Sequence, residues 1–210
     1  MANLSELYDA ILSGQKDKAV EVTKAAIAEG IDPQEVVTKH MIPAMDEVGK
    51  RFECNEYFVP ELLIAARAMK ACLEIVKPLL VEQGSESAGT VVIGTVKGDL
   101  HDIGKNLVSA MLEGGGFDII DLGVDVSPER FAETAASKEA DIICLSALLT
   151  TTMPSMKTTI DALVSAGVRD KVKVMIGGAP VTQQYADEIG ADGYSENAAS
   201  AVALARQLTA

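Results

Sequence analysis

The chain has 210 residues, of which 48% are hydrophobic and 23% charged, a composition typical of one large soluble domain or two modest ones. Its formal net charge is -13, and aromatic residues make up only 4%, with no tryptophan. These features argue against nucleic acid and against an anionic membrane surface as direct partners, because both are bound by basic surfaces.

The three cysteines, Cys54, Cys72 and Cys144, have no CxxC spacing, which predicts buried, reduced thiols rather than a metal or redox site. The first residues lack a basic stretch followed by an apolar core, so no secretory signal is predicted. No apolar run approaches the roughly 18 residues that a membrane-spanning helix needs. The expected compartment is a reducing cytoplasm.

Residues 1 to about 83 have the apolar periodicity of amphipathic helices, and four or five helices with short connections predict a small bundle. A turn is expected at Gly49–Tyr57, followed by a long helix from about Val59. Pro78 lies inside that helix and predicts a kink or its end, because proline cannot donate the intrahelical hydrogen bond.

The residues of Gln83–Gly89 are small and polar, a composition that predicts a flexible linker. It predicts a helical domain at 1–84, a linker at 85–89 and a second domain at 90–210.

From Thr90 onward the pattern alternates between apolar strands and amphipathic helices. The predicted strands are Thr90–Val96, Asp118–Leu122, Ile142–Ser146, Val172–Ile176 and a weak Ala191–Tyr194. The predicted helices are Asn106–Glu113, Pro128–Lys138, Met153–Ala166, Thr182–Ile189 and Ala198–Leu208. The strands are continuously apolar, as expected where both faces of a sheet are covered. Five such units predict an α/β domain with a parallel, doubly wound sheet of flavodoxin-like size.

Asp99 and His101 lie directly after the first predicted strand, in a loop punctuated by Gly98 and Gly104. In open α/β sheets, ligands bind at the carboxyl ends of the strands. Imidazole is the commonest metal ligand, and a carboxylate on its other nitrogen fixes the tautomer. The pattern therefore predicts a metal ligand with a supporting carboxylate. A surface histidine in a turn capped by Asp99 is the alternative that the local pattern leaves open.

Two later strand ends reach the same predicted edge of the sheet. Leu145–Thr152 supplies four hydroxyl groups, and Ile176–Pro180 supplies two adjacent glycines. Hydroxyls and glycine-lined backbone suit a large polar ligand that passes between strand ends, whereas singly they would be ordinary caps and turns.

Together these segments resemble the DxHxxG, SxL and GG signatures of cobalamin-binding domains, at Asp99–Asn106, Leu145–Thr152 and Gly177–Ala179. In the helical part, Val48–Phe52 and Phe58–Glu61 are similar to the cap domain of methionine synthase and, more closely, of the small corrinoid proteins of anaerobic methyltransferase systems. The resemblance covers almost the whole chain. It implies an N-terminal helical bundle, the cap, followed by a five-stranded parallel, Rossmann-like or flavodoxin-like cobalamin-binding domain.

The resemblance also implies roles for individual residues. His101 is expected to replace the corrinoid's own benzimidazole as the lower cobalt ligand, with Asp99 accepting the other imidazole N–H. Thr152 takes the position of the serine that completes this relay in methionine synthase. The remaining cofactor contacts are expected at Gly94, Gly98, Asp102, Ile103, Gly104, Ser146, Leu148, Thr150, Gly177, Gly178 and Ala179. Phe58 and Leu62 of the cap are expected to cover the upper face of the corrin.

The function that the resemblance implies is that of a corrinoid-carrying methyl-transfer protein. Its cofactor is cobalamin or a related corrinoid, with cobalt alternating between the methylcobalamin and cob(I)alamin forms. A substrate-specific methyltransferase loads the methyl group, and a second methyltransferase passes it to tetrahydrofolate or to a thiol similar to coenzyme M. A corrinoid activation protein is a further implied partner, and the chain completes no reaction alone. A cobalamin-dependent sensor is the alternative.

Overall fold

The computed structural model describes residues 3–83 and 87–210, which separate into two compact units. The first unit is Met1–Ser87 with Glu113–Gly116, and the second is Ala88–Leu112 with Phe117–Ala210. Of the predicted linker, residues 85 and 86 lie outside the described residues.

The first unit is helical. Its elements are α1 (Leu4–Leu12), α2 (Lys16–Ala28), α3 (Pro33–Val36), a π-helical segment (Val37–Met41), α4 (Ile42–Glu53) and α5 (Val59–Glu82). Asn3 and Asp32 accept backbone N–H groups at the starts of α1 and α3, which satisfies donors that a helix start leaves unpaired. Leu7 and Met69 are among the side chains that fill its core.

Two predictions for this unit are wrong: Cys54, predicted to be buried, is exposed, and the turn begins later than predicted. The predicted turn at Gly49–Tyr57 begins only at Cys54, because α4 continues through Glu53 with Gly49 buried against its surroundings. The turn itself is marked by Asn55, whose φ is +59°. Of the two outcomes predicted for Pro78, the end of the helix is excluded, because α5 continues to Glu82. A proline removes one hydrogen bond but leaves the neighbouring turns intact.

The second unit contains a five-stranded, fully parallel sheet within the described residues, with strand order β2-β1-β3-β4-β5. The strands are β1 (Thr90–Thr95), β2 (Asp118–Asp121), β3 (Ile142–Ser146), β4 (Lys173–Gly177) and β5 (Gly193–Tyr194). The helices are α6 (Ile103–Gly114), α7 (Pro128–Ser137), α8 (Pro154–Ser165), α9 (Gln183–Ile189) and α10 (Ala198–Thr209). This order is that of the flavodoxin-like doubly wound fold, so the predicted fold class is confirmed.

The central strands are buried on both faces, which explains why their sequences are continuously apolar. Consecutive residues Val92 and Ile93 are 0% and 2% exposed although they point to opposite faces. The register pairs Thr95 with Ser146, and Ser146 with Gly177. The carboxyl ends of β1, β3 and β4 therefore lie side by side, as the sequence predicted.

In residues 3–83 and 87–210, none of the helices is suited by length and hydropathy to cross a lipid bilayer.

Candidate functional site

The loop that carries His101 leaves the carboxyl end of β1 and leads into α6. Val96 donates its backbone N–H to the Ser146 carbonyl at 3.0 Å, which ties the start of the loop to the end of β3. Gly98 then turns the chain with φ +86°, a conformation that glycine adopts without steric cost. Thr95 Oγ1 donates to the His101 carbonyl at 2.9 Å, so the loop is also anchored from below.

Asp99 is the centre of the polar network. Its Oδ1 lies 2.7 Å from His101 Nδ1 and accepts the His101 backbone N–H at 3.0 Å. Its Oδ2 accepts the backbone N–H groups of Leu148 at 2.8 Å and Leu149 at 3.3 Å, and the Thr152 hydroxyl lies 2.7 Å away. The Asp99 side chain is fully buried, so these donors replace the water that a carboxylate would otherwise bind.

The protonation state of Asp99 follows from this environment. Burial raises its pKa, but the hydrogen bonds from Thr152, from the Leu148 backbone and from His101 lower it more, and the pKa of Asp99 lies well below its usual range. Asp99 is therefore a carboxylate and can only accept hydrogen bonds. Because Nδ1 of His101 must then be the donor, a neutral ring carries its lone pair on Nε2.

The remaining geometry of His101 and Thr152 suits a relay. The His101 side chain is 50% exposed, so the ring is accessible although its carboxylate partner is not. Thr152 Oγ1 lies 2.7 Å from Asp99 Oδ2 and 2.9 Å from the Leu149 carbonyl. A hydroxyl has a single proton, and the charged carboxylate is the stronger acceptor.

The other predicted cofactor residues divide by exposure. Exposed positions are Gly98, Asp102, Ile103, Gly104, Leu148, Thr150 and Ala179, and half-buried positions are Ser146, Gly177 and Gly178. Asp102 accepts the Asn106 side-chain amide at 3.1 Å, so this pair stabilises the start of α6.

Gly94 stays a predicted cofactor contact, but the packing around it gives a separate reason for a glycine. It is buried, and a Cβ at this position would lie 2.8 Å from Phe131 Cζ and 3.2 Å from Val126 Cγ2. The space beside this glycine is thus already filled by core side chains, and packing alone explains the residue.

Gly178 is also required by the protein itself. Its φ is +134°, and a Cβ there would lie 1.9 Å from the Ala147 carbonyl oxygen. The loops after β3 and β4 therefore approach each other as closely as backbone atoms allow. Ser195 follows β5 and lies beside Gly177, and Asn197 caps α10.

Apolar side chains surround the His101 loop, a feature that the sequence did not single out. The exposed fractions are 71% for Leu100, 80% for Ile103, 37% for Val124, 43% for Leu148 and 42% for Leu149. Exposed apolar groups concentrated beside a polar site mark a surface for a ligand. Leu100, Val124 and Leu149 were missed because single apolar residues in loops carry no periodic signal.

Lys105 and the two predicted cap residues differ in their exposure. Lys105 is buried and forms an ion pair with Asp121, so its ammonium group is not available as a surface contact. Phe58 is 60% exposed, whereas Leu62 is fully buried and offers no surface in this structure. The covering role of Phe58 and Leu62 stays a prediction.

The chemistry of the site suits a metal that brings most of its own ligands. One accessible imidazole, with its tautomer fixed by a buried carboxylate, can supply one nitrogen ligand to a metal. The apolar rim suits a large, flat and mainly hydrophobic ring. These features define a class of protein that binds a metal held in a macrocycle.

Comparison with known proteins identifies the ring. Residues 89–203 match the family described as B12 binding domain, and residues 4–77 match a second B12 binding domain family. The chain is 49% identical to the dimethylamine corrinoid protein of Methanosarcina barkeri, over 99% of this chain and 97% of that protein. It is 46% identical to trimethylamine corrinoid protein 1 of Methanosarcina acetivorans, over 97% and 95% of the two chains.

A solved structure shares both fold and sequence. The methanol:cobalamin methyltransferase complex MtaBC from Methanosarcina barkeri matches with a TM-score of 0.86 and 32% identity, over 98% of this chain and 79% of that one. The chain belongs to the B12-binding corrinoid protein family. The predicted corrinoid cofactor is confirmed. The predicted function, that of a methyl-carrying protein that works with methyltransferases rather than that of a sensor, is confirmed as well.

Proposed function

We propose that His101 Nε2 is the lower axial ligand of the corrinoid cobalt, and that Asp99 and Thr152 form the relay behind it. The observation that carries this proposal is the 2.7 Å contact between Asp99 Oδ1 and His101 Nδ1, made by a buried carboxylate. That contact leaves the ring lone pair on Nε2, the nitrogen that does not contact Asp99 and is therefore free to bind a metal.

The corrinoid, when bound, supplies the cobalt on which the methyl group is carried. The chain's own residues orient the ligand. Asp99 holds the imidazole ring in the tautomer that has its proton on Nδ1 and its lone pair on Nε2. Thr152 donates its single hydroxyl proton to the same carboxylate, and the Leu149 carbonyl, 2.9 Å from the Thr152 oxygen, is the alternative acceptor to which that proton can turn as the demand on His101 changes.

The substrate class that we propose is the methylamines. Support comes from the relatives that match nearly end to end, which include a dimethylamine and a trimethylamine corrinoid protein. A methylamine-specific methyltransferase would load the cobalt, and a second methyltransferase would transfer the methyl group to tetrahydrofolate or to a thiol similar to coenzyme M. A corrinoid activation protein would restore cobalt that has become oxidised.

The axial ligand is tested by electron paramagnetic resonance of the cobalt(II) form. We expect nitrogen hyperfine splitting that changes pattern when the protein is labelled with ¹⁵N-histidine, and that disappears in His101→Ala. A splitting insensitive to the label would assign the ligand to the corrinoid's own base and contradict the proposal. His40, half-buried in the helical unit, supplies the control variant His40→Ala, which should keep the wild-type spectrum.

The substrate class is tested separately, with the reconstituted protein and purified methyltransferases specific for mono-, di- and trimethylamine and for methanol. We expect methylation of the corrinoid with at least one methylamine enzyme and not with the methanol enzyme. Methylation by the methanol enzyme alone would refute the methylamine assignment without affecting the assignment of His101.

A further inference from the structure

The segment Asp121–Val126, which begins at the last residue of β2, is bound along its length to the end of β1. Leu122 donates its N–H to the Ile93 carbonyl at 2.8 Å. Thr95 donates to the Gly123 carbonyl at 3.0 Å, and Val126 donates to the Thr95 carbonyl at 3.0 Å. The segment is therefore an extension of the sheet at the point where the His101 loop begins. We refer to Asp121–Val126 as the brace.

Asp125 connects the brace to the His101 loop through two hydrogen bonds. Its Oδ1 accepts the Gly98 N–H at 2.7 Å, and its own N–H donates to the Asp99 carbonyl at 3.0 Å. Both contacts are to the main chain at and just before Asp99, the residue that orients His101. Asp125 thus fixes the backbone from which the orienting carboxylate projects.

The backbone of Asp125 is held in an uncommon conformation. Its φ is +52°, in the left-handed region that residues other than glycine, asparagine and aspartate seldom adopt. A residue kept in this region where both its side chain and its N–H are engaged indicates that the surrounding contacts determine its geometry.

The other end of the brace is anchored to α6. The Lys105 ammonium, with a side chain only 2% exposed, pairs with Asp121, whose Oδ1 also accepts the Gly123 N–H at 2.9 Å. Lys105 lies four residues after His101, in the first turn of α6. The brace therefore holds both the loop before His101 and the helix that follows it.

We propose that Asp125 is a positioning residue for the axial histidine. The His101 loop is then held from two sides: the Asp99 carboxylate fixes it to the segment after β3, and the Asp125 carboxylate fixes its main chain to the brace. The proposal rests on the proposed role of His101. It goes beyond that role, because Asp125 neither touches the imidazole nor belongs to the sequence signature.

The test compares three variants that separate the hydrogen bond from the backbone strain. Asp125→Gly removes the carboxylate acceptor and tolerates the positive φ, so only the contact to the loop is lost. Asp125→Asn keeps an oxygen acceptor in a residue that also tolerates this φ. Asp141→Gly is the matched control, since Asp141 Oδ2 accepts the Thr90 N–H at the same 2.7 Å and its N–H donates to the Thr90 carbonyl, but at the opposite edge of the sheet.

The measurement is the ratio of histidine-bound to histidine-free corrinoid in the cobalt(II) protein, from the nitrogen hyperfine signal, together with the melting temperature of the apoprotein. We expect Asp125→Gly to lower the ratio about tenfold, the effect of losing one charge-assisted hydrogen bond, and Asp125→Asn to restore most of it. Asp141→Gly should lower the melting temperature and leave the ratio unchanged.

An unchanged ratio in Asp125→Gly, with a wild-type protein that shows histidine-bound cobalt, would overturn the role of Asp125. An equal loss of the ratio in Asp141→Gly would also overturn it, because the effect would then follow general stability. A wild-type protein without histidine-bound cobalt would instead refute the role of His101.

Discussion

Replacing Asp99 with asparagine should both destabilise the apoprotein and change the tautomer of His101. The carboxylate accepts hydrogen bonds on both oxygens, from His101 on one side and from Leu148, Leu149 and Thr152 on the other. An amide has one acceptor oxygen and one NH₂ group, so whichever way it turns, its NH₂ faces a group that is a donor in the native protein.

The two orientations of the amide do not cost the same. If the NH₂ faces the segment after β3, the backbone N–H groups of Leu148 and Leu149 both lose their acceptor. If it faces His101, only the His101 backbone N–H is lost, because the imidazole can become an acceptor by moving its proton from Nδ1 to Nε2. The second orientation is favoured, and it places a hydrogen on the nitrogen proposed to bind cobalt.

The magnitude follows from the groups that lose their partners. An unpaired buried donor costs about 1–3 kcal/mol, and a charge-assisted hydrogen bond that becomes neutral loses about another 1 kcal/mol. We therefore expect the free energy of unfolding of the apoprotein to fall by about 2–4 kcal/mol, measured by urea denaturation. Proton–nitrogen correlation spectra of the ring should show the Nδ1–H tautomer in the wild type and the Nε2–H tautomer in the variant.

The matched control is Asp102→Asn, three residues further along the same loop. Asp102 is exposed and its carboxylate accepts the Asn106 side chain at 3.1 Å, so an amide can replace it at a cost within about 0.5 kcal/mol. If Asp99→Asn unfolds like this control and its His101 keeps the Nδ1–H tautomer, the carboxylate does not set the tautomer and the argument for Nε2 as a ligand fails.

Three further predictions concern acid, glycine and thiol chemistry. The pKa of Asp99 is lowered on folding, so the stability that its carboxylate contributes is complete above the unfolded pKa of about 3.9 and is lost as pH falls toward the folded pKa. The difference in unfolding free energy between wild type and Asp99→Asn should therefore shrink below about pH 4. A constant difference between pH 6 and pH 3 in urea titrations would contradict this. Gly178→Ala should lower the free energy of unfolding by more than about 3 kcal/mol or prevent folding, because a Cβ there would collide with the Ala147 carbonyl oxygen. Gly104→Ala should raise the free energy of unfolding of the apoprotein by up to about 1 kcal/mol in urea denaturation, because a Cβ there meets no atom of the described residues within 4 Å beyond the adjacent backbone of its own helix. With a thiol-reactive disulfide reagent at pH 8, Cys54 alone should react in the native protein, because it is exposed whereas Cys72 and Cys144 are buried and burial raises the pKa of Cys144 to about 12. Rapid reaction of all three thiols without denaturant would contradict this prediction and show that the two buried thiols are reached by solvent.

The sequence predicted the second unit more accurately than the first, because the short apolar runs of its strands are clearly bounded by polar turns. β3 runs from Ile142 to Ser146 in both prediction and structure, because an apolar run this short, bounded by polar residues and alternating with helical patterns, favours a buried strand. Gly49 misled the prediction in the helical unit, since glycine favours turns locally but is tolerated in a helix whose packing places it in the core.

What the sequence could not predict are contacts between distant residues. Lys105 and Asp121 are 16 positions apart, and Asp125 lies 27 positions from Gly98, so neither pair has a local spacing to signal it. The same limit applies to Gly94: as part of a glycine-marked strand end it favours a ligand contact, but Phe131, far along the chain, fills the space beside it. A residue type indicates what a position can do, and only the fold shows what occupies the neighbouring volume.

This distinction separates two kinds of glycine at one site. Gly178 is explained by the protein, because the Ala147 carbonyl leaves no room for a side chain. Gly104 is not: apart from its chain neighbours and the adjacent backbone of α6, no atom of the described residues lies within 4 Å of the position that a Cβ would take. If Gly104 is needed so that the corrinoid can approach the backbone, alanine there should weaken corrinoid binding while leaving the apoprotein at least as stable. A variant that loses the cofactor but gains stability would place a ligand contact where the fold alone requires none, and unchanged corrinoid affinity would remove Gly104 from the site.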